Sequence, residues 1–216
     1  MIYLKLIKKS VYLFLAFITL SILFVHSVFG EMIEPVIYID PGHGGFDGGC
    51  VGSNSVEKDI VLSVSFKLKK YLESVGYKVK LTRTKDVALA ETKTLDMKKR
   101  VSLINNSNTL LYISIHANFY PSQKVSGAQV FFKNNDENRL LSKNIQDYLN
   151  LTSIGKNRKE KVITDKYLTD HIKHNGCLVE IGFLSNKEEE AKLLDELYQN
   201  NIAYSIYLGI LSYLEL

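Results

Sequence analysis

The chain has 216 residues, with 27 lysines and arginines against 23 aspartates and glutamates. Three of those lysines lie among the first ten residues and no acidic residue precedes Glu31, so the remainder is almost neutral, with 24 basic and 23 acidic groups. This balance excludes a general polyanion-binding domain, and we predict no nucleic-acid partner. A hydrophobic content of 46% excludes wholesale disorder, and two cysteines are too few for a disulfide scaffold.

Residues 1–30 have the pattern of a leader. A lysine-bearing segment precedes an apolar run over residues 11–25, and the first acidic residue follows only at Glu31. A secretory signal peptide has this pattern, but the apolar stretch up to Phe29 also approaches the roughly 20 residues of a membrane-spanning helix. A cleaved signal peptide and a retained membrane anchor therefore both stay open. Either one exports residues 31–216, because the positively charged flank stays on the cytoplasmic side.

Beyond the leader, short β-branched runs alternate with amphipathic helical patterns. The predicted strands cover residues 36–40, 78–82, 110–115, 128–132 and 177–181. The predicted helices cover residues 58–74, 94–106, 138–149, 187–198 and 202–214. This alternation predicts an α/β fold, a three-layer α/β/α arrangement with a mostly parallel twisted sheet in a single domain. In such sheets the chemistry lies beyond the carboxyl ends of the strands.

Two of the five histidines lie at the ends of predicted strands. His43 follows the first strand in the turn PGHGG, where flanking glycines leave the imidazole accessible. His116 follows the third strand in the segment SIHAN. A tight turn with an incidental histidine explains either residue alone, but two equivalent positions indicate a shared site.

Glu57 is the candidate for a third metal ligand. It opens the first long helix, in the loop that follows His43. The competing interpretation is a capping box, because Asn54 and Glu57 have its spacing. Two histidines and one carboxylate leave a coordination position open, which is the donor set of catalytic zinc sites.

Glu180 is a carboxylate inside the apolar strand at residues 177–181. A buried carboxylate is costly unless it is paired, bound to a metal or at the mouth of a site. It is therefore either bonded to a neighbouring loop or a general base for hydrolysis.

Three motifs together resemble the zinc-dependent N-acetylmuramoyl-L-alanine amidases of the type-3 amidase family. They are DPGHGGFDGG with GSNSVEKD over residues 40–59, SIHAN over 114–118 and LVEIGFLSN over 178–186. The resemblance runs in order over residues 36–214. It implies that His43, Glu57 and His116 bind Zn²⁺ and that Glu180 is catalytic. The implied reaction is hydrolysis of the amide between N-acetylmuramic acid and L-alanine in peptidoglycan.

The resemblance also implies roles around that site. Arg83 and Arg100 are expected to support it from behind, and Asn118 to position the ligand loop or the substrate. Arg158 and Lys161 are expected to contact the stem peptide, although a solvated charged loop over residues 155–166 is the alternative. For Cys50 and Cys177 we expect two thiols, with a disulfide as the alternative.

Within the family, a lone domain behind a leader resembles the germination-specific cortex amidases of spore-forming bacteria. This implies action on spore cortex, in muramic-lactam formation, by a secreted or membrane-anchored protein between the forespore and mother-cell membranes. An accessory activator protein is a further partner that the sequence leaves open. Two other interpretations also stay open: a zinc carboxypeptidase acting on wall peptides, and a non-catalytic, partner-regulated wall-binding protein.

Overall fold

The computed structural model describes residues 11–21 and 34–215. From residue 34 onward, the strands are β1 Val36–Pro41, β2 Lys78–Leu81, β3 Thr109–Asn118, β4 Gln129–Phe132, β5 Lys161–Val162 and β6 Gly176–Phe183. The helices of the same part are α1 Glu57–Ser74, α2 Lys93–Asn105, α3 Asp136–Thr152, α4 Tyr167–His171, α5 Lys187–Leu193 and α6 Glu196–Leu214.

The strands form one sheet in the order β2-β1-β3-β6-β4-β5, with β2 and β5 at its edges. The first four strands of this order are parallel, whereas β4 pairs antiparallel with β6, and β5 runs parallel to β4. The prediction of a mostly parallel sheet is confirmed. From β1 the chain moves outward to β2 and then returns to β3 on the other side of β1. In sheets of this type, ligands bind at such a reversal, beyond the carboxyl ends of the strands, which here are β1 and β3.

Helices cover both faces of the sheet, as the three-layer prediction required. Alternate side chains of β1 face opposite sides, since the side-chain period of a strand is two. Ile37 and Ile39 join the larger core with α1, α3 and α6, whereas Val36 and Tyr38 join a smaller core with α2 and α4. α1 buries the apolar stripe expected from its sequence: Ile60, Val61, Val64, Leu68 and Leu72.

The predicted boundaries of the two C-terminal helices are wrong. Instead of a break between 198 and 202, the chain breaks at Leu194 and Asp195, and α6 begins at Glu196. The Asp195 carboxylate accepts a hydrogen bond from the Tyr198 amide at 2.7 Å and caps the new helix. A sixth strand, β5, was also missed, because it has only two residues and lies in the charged segment 155–166.

The expected leader falls mainly outside the described residues. Of residues 1–30, only 11–21 are described, and they are helical with exposed side chains. In the described part of the chain, no helix is both long and apolar enough to cross a membrane. The choice between a cleaved signal and an anchor, with its boundary at Gly30, stays a prediction.

Candidate metal centre

The turn after β1 holds His43 in a left-handed backbone conformation, with φ of 59°. Arg100 fixes this turn by donating to the carbonyl oxygens of Pro41 at 2.7 Å and His43 at 2.5 Å. Gly42 is required on steric grounds, because a Cβ there would overlap the ring of His116. The turn therefore brings the two histidine rings together, with centroids 4.9 Å apart.

Asp40 lies behind this turn, is fully buried and is not among the three converging donors. Its Oδ1 accepts hydrogen bonds from Thr82 at 2.6 Å and Arg100 at 2.8 Å, and its Oδ2 accepts one from Ser114 at 2.8 Å. Burial acts to raise the pKa of Asp40, but the charge of Arg100 outweighs it and holds that pKa low. Arg83 donates to the carbonyls of Pro41, Gly42 and Lys58, in the supporting position expected for it.

The Glu57 carboxylate points at both histidines. Its Oε1 lies 2.9 Å from Nδ1 of His116 and 3.2 Å from Nε2 of His43, and it also accepts the Ala117 amide at 3.0 Å. Its Oε2 accepts the Cys50 amide at 2.7 Å. The capping-box alternative is wrong, because α1 has no side-chain cap. Glu57 thus faces the site rather than the start of its own helix.

The three groups fit the donor set of a divalent metal ion. One ligand atom from each of His43, Glu57 and His116 lies within 4.8 Å of the others. Burial acts to raise the pKa of Glu57, but hydrogen bonds and charge from His116 and His43 outweigh it and lower that pKa below its ordinary range. Glu57 is therefore an anion, as a metal ligand must be.

Asp47 is a functional residue that the sequence reasoning missed. Its Oδ2 lies 3.0 Å from Nδ1 of His43, and its Oδ1 lies 2.9 Å from the ammonium group of Lys93. Burial acts to raise the pKa of Asp47, but the bonds from Lys93 and His43 lower it to about 2. A carboxylate on Nδ1 orients Nε2 of His43 toward Glu57, as partners of metal-binding histidines do. The sequence feature that could have revealed Asp47 is an aspartate in the glycine-rich turn, four residues after His43.

Glu180 lies beside the three donors, on β6. It is paired in register with His116 on the neighbouring strand. Its Oε2 is buried and has no hydrogen-bond partner among the described residues. Burial raises the pKa of Glu180 to about 7, although the charge of His116 acts in the opposite direction. A carboxylate in this state is able to take up and release a proton near neutral pH.

The structure does not bring the three expected substrate contacts into the donor cluster. Asn118 ends β3, and its Oδ1 accepts the amide of the next residue at 2.8 Å. Arg158 donates to Ser126 O at 2.8 Å and to Gln129 Oε1 at 3.2 Å. Lys161 is exposed on the edge strand β5.

Basic charge nevertheless lies on the Glu180 side of the sheet. Gln129, which Arg158 contacts, is paired in register with Glu180. Lys166, which the sequence reasoning did not single out, is close enough for its charge to act on the pKa of Glu180. Nothing distinguished Lys166 from the other lysines of its charged segment before the fold was known.

The two cysteines are free thiols. Cys177 is buried in β6, and Cys50 is half-buried near Glu57. Burial raises the pKa of both thiols to about 12. The expectation of two thiols is confirmed, and the alternative of a disulfide is wrong.

Comparisons with known proteins agree with this geometry. The chain is 46% identical over 187 residues to the germination-specific N-acetylmuramoyl-L-alanine amidase of Bacillus subtilis, covering 82% of this chain and 79% of the relative. A solved structure of the CwlD amidase from Clostridioides difficile, in complex with the GerS lipoprotein, matches with a TM-score of 0.80 and 37% identity, covering 84% of this chain and 99% of the other.

The catalytic domain of CwlV, an N-acetylmuramoyl-L-alanine amidase from Bacillus (Paenibacillus) polymyxa var. colistinus, has a TM-score of 0.76 and 29% identity, over 84% of this chain and 98% of that one. The family described as N-acetylmuramoyl-L-alanine amidase matches residues 37–212, a span that contains the donor cluster, Glu180 and the whole sheet from Ile37 on. The chain therefore belongs to the N-acetylmuramoyl-L-alanine amidase family.

Proposed function

We propose that the protein is a zinc-dependent amidase that hydrolyses the bond between N-acetylmuramic acid and L-alanine in peptidoglycan. One observation carries this proposal: the donor atoms of His43, Glu57 and His116 converge beside Glu180, whose Oε2 has no partner among the described residues. Membership of the family indicates the class of substrate, because the family is named after the reaction.

Zn²⁺ is the metal that this donor set favours. Two imidazoles and one carboxylate form a three-ligand catalytic zinc site with a position left open. His43 is oriented by Asp47, and the Glu57 carboxylate is fixed by the amides of Cys50 and Ala117. When bound, zinc supplies Lewis acidity, which acidifies water and polarises the carbonyl of the scissile amide.

Glu180 is the proposed general base and acid. Its unpartnered Oε2 is free to accept a proton from the attacking water, and the same oxygen then donates that proton to the departing amine nitrogen of L-alanine. The raised pKa suits both steps, because a group with a pKa near 7 gains and loses a proton at similar cost at neutral pH.

Arg158, Lys161 and Asn118 are proposed to contact the substrate, at the periphery rather than at the reacting bond. Arg158 extends the row of residues that begins at His116 and continues through Glu180 and Gln129 across three strands. Basic side chains on that side complement the carboxylates of a stem peptide. Asn118 is the last residue of β3, two positions after His116, and it precedes the loop that begins at Phe119.

The proposed biological setting is spore cortex. The B. subtilis relative is germination-specific by name, and removal of stem peptides would supply the substrate for muramic-lactam formation. Action outside the cytoplasm follows from a peptidoglycan substrate, and the leader at residues 1–30 supports export, between the forespore and mother-cell membranes in a spore former. The CwlD–GerS complex supports an accessory partner for this protein too.

Product analysis tests the proposal. The purified protein, loaded with zinc, is incubated with cortex and vegetative peptidoglycan, and the released fragments are identified by mass spectrometry. An amidase frees intact stem peptides with L-alanine at the amino terminus, whereas a carboxypeptidase frees single D-alanines. Bound zinc without any cleavage, with or without the accessory lipoprotein, would contradict the catalytic proposal and favour the wall-binding alternative.

A further inference from the structure

Two adjacent carboxylates on α5 take no direct part in the donor cluster. Glu189 and Glu190 are only 2% and 3% exposed, although α5 is a short helix that follows β6 closely. Burying two acids side by side is costly unless their oxygens are bonded. Both are bonded, and each to a different part of the chain, so their contacts identify what each one holds.

Glu190 holds a hairpin that we call the ligand hairpin, residues 50–57. Its Oε1 accepts hydrogen bonds from the Asn54 amide and from the Ser55 hydroxyl, both at 2.7 Å. The amide and hydroxyl of Ser53 also bond to this carboxylate. Gly52 packs so closely on Glu190 that there is no room for a Cβ. The tip of the hairpin is thus fixed to α5.

The base of the ligand hairpin fixes Glu57. A bridge between Val51 and Val56 closes the hairpin, and the Glu57 amide donates to Cys50 O at 2.9 Å. The Cys50 amide in turn donates to the Glu57 carboxylate at 2.7 Å. A displacement of the hairpin tip therefore reaches the carboxylate that faces both histidines.

Glu189 holds a different pair of segments. Its Oε1 accepts the Gly127 amide at 2.9 Å, and its Oε2 accepts the Phe183 amide at 3.0 Å. Phe183 ends β6, the strand of Glu180, and Gly127 leads into β4, which pairs with Glu180 through Gln129. Glu189 thus joins the end of the strand that carries the proposed base to the segment that leads into the neighbouring strand β4.

We propose that Glu190 and Glu189 are positioning residues with separate tasks. Glu190 sets the affinity for zinc by holding Glu57 through the ligand hairpin, and Glu189 sets turnover by holding Glu180 through β6 and β4. This inference rests on the proposed function for its catalytic half, whereas its metal-binding half requires only the donor cluster.

Zinc titration against a chromophoric chelator tests the task of Glu190. Glu190→Ala is expected to raise the zinc Kd about 10-fold, the lower end of the range for losing a group bonded directly to a ligand, because Glu190 acts on Glu57 through the ligand hairpin. Glu190→Gln keeps an acceptor oxygen for Asn54 and Ser55 but has only one oxygen left for them and Ser53 together, so its Kd is expected between the wild-type value and that of Glu190→Ala. Gly52→Ala forces the Glu190 carboxylate and the Ser55 hydroxyl to shift, so it is expected to weaken zinc binding in the same direction as Glu190→Ala but by less. Exposed Glu188, mutated to Gln, is the control on the same helix.

Turnover at saturating zinc tests the task of Glu189. In Glu189→Gln one carboxylate oxygen becomes an amide NH₂ group that faces a backbone N–H, so one of the two bonds is lost. We expect kcat to fall about 10- to 100-fold, as for a small displacement of a reacting group, with zinc Kd and KM unchanged. In Glu190→Gln, kcat at saturating zinc is expected within about threefold of wild type.

Three results would overturn the inference. The first is an unchanged zinc Kd in both Glu190→Ala and Gly52→Ala, and the second is a loss of kcat rather than of zinc affinity in those variants. The third is an equal change of zinc Kd and of kcat in Glu189→Gln and Glu190→Ala. Thermal unfolding of the zinc-free variants shows whether a variant has lost its fold. If Glu190→Ala has lost its fold, the zinc Kd values of Glu190→Gln and Gly52→Ala test the role of Glu190 instead. If the wild type binds zinc but cleaves no peptidoglycan, the proposed function fails while the Kd result still decides the role of Glu190.

Discussion

Glu180 combines three properties that rarely occur together in a structural carboxylate. Its Oε2 is buried, its pKa is raised to about 7, and that oxygen has no donor among the described residues. Buried polar groups are otherwise almost always hydrogen-bonded. An arrangement that is unfavourable for folding and is maintained beside three metal-type donors is typical of a catalytic group.

Replacing Glu180 by Gln is expected to remove proton transfer while preserving shape. We expect kcat to fall by about 10²- to 10⁴-fold, the range attributed to general acid–base catalysis. Zinc content, measured by elemental analysis, is expected to equal that of the wild type, because Glu180 is not among the three donors. Retention of wild-type turnover in this variant would falsify the assignment of Glu180.

The raised pKa of Glu180 also predicts how stability depends on pH in the zinc-free protein. Below about pH 4.5 the carboxyl is protonated in both the folded and the unfolded state, so it costs nothing. As the pH rises to about 7, only the unfolded state loses the proton, so the folded state becomes progressively less stable.

Compared with Glu180→Gln, the wild type should lose up to about 3 kcal/mol of unfolding free energy between pH 4.5 and 8. Urea unfolding of both proteins in chelator measures this difference, since other titrating groups are common to the two. Parallel curves over that interval would contradict the raised pKa.

The sequence singled out the four residues that the fold brings together, because histidine and glutamate carry chemistry that a pattern can reveal. It could not predict what orients them. Glu57 is held by the backbone amides of Cys50 and Ala117, and amides have no signature in the side-chain pattern. Asp47 was an aspartate in a glycine-rich turn, and only the fold shows that it faces His43.

At the scale of the elements, α6 depends on a cap that periodicity does not detect. Asp195→Ala removes the bond to the Tyr198 amide and leaves one of the first amides of the helix without its acceptor. The expected cost is about 0.5–2 kcal/mol of unfolding free energy, measured by chemical denaturation. Asp147→Ala, at an exposed position on α3, is the control and should cost less than about 0.5 kcal/mol. Equal losses in the two variants would remove the special role of the cap.

Long elements were predictable and short or context-dependent ones were not. The stripe on α1 and the apolar core of β3 each extend over several periods, so their type is determined locally. β5 has two residues and therefore no period, and its existence depends on pairing with β4. The antiparallel direction of β4 is set by its partner β6, which comes more than 40 residues later in the chain.

For the molecule as a whole, we expect metal binding and folding to be coupled, because the donors come from distant parts of the chain. His43, Glu57 and His116 are brought together only when β1, α1 and β3 have assembled. Zinc should therefore stabilise the folded state by about 4 kcal/mol when its free concentration is about 1,000 times its Kd. Thermal unfolding with zinc and with chelator measures this difference.

His116→Ala should abolish that dependence on zinc, since one of the three donors is lost. His171→Ala, at an exposed histidine outside the cluster, should keep the wild-type gain in stability on adding zinc. Equal stabilisation of the His116 variant and the wild type by zinc would exclude His116 from the ligand set.

The two edges of the sheet have a consequence for association between copies of the protein. An exposed edge strand is a template for pairing with another chain, and long flat edges promote aggregation. β5 offers only two residues, and β2 carries exposed Lys78 and Lys80 on either side of its buried Val79. Adding a strand to β2 would bring those ammonium groups together with their counterparts on a second copy. Both edges of this sheet therefore disfavour pairing with the sheet of a second copy. Replacing Lys78 and Lys80 by Val is expected to increase self-association through β2.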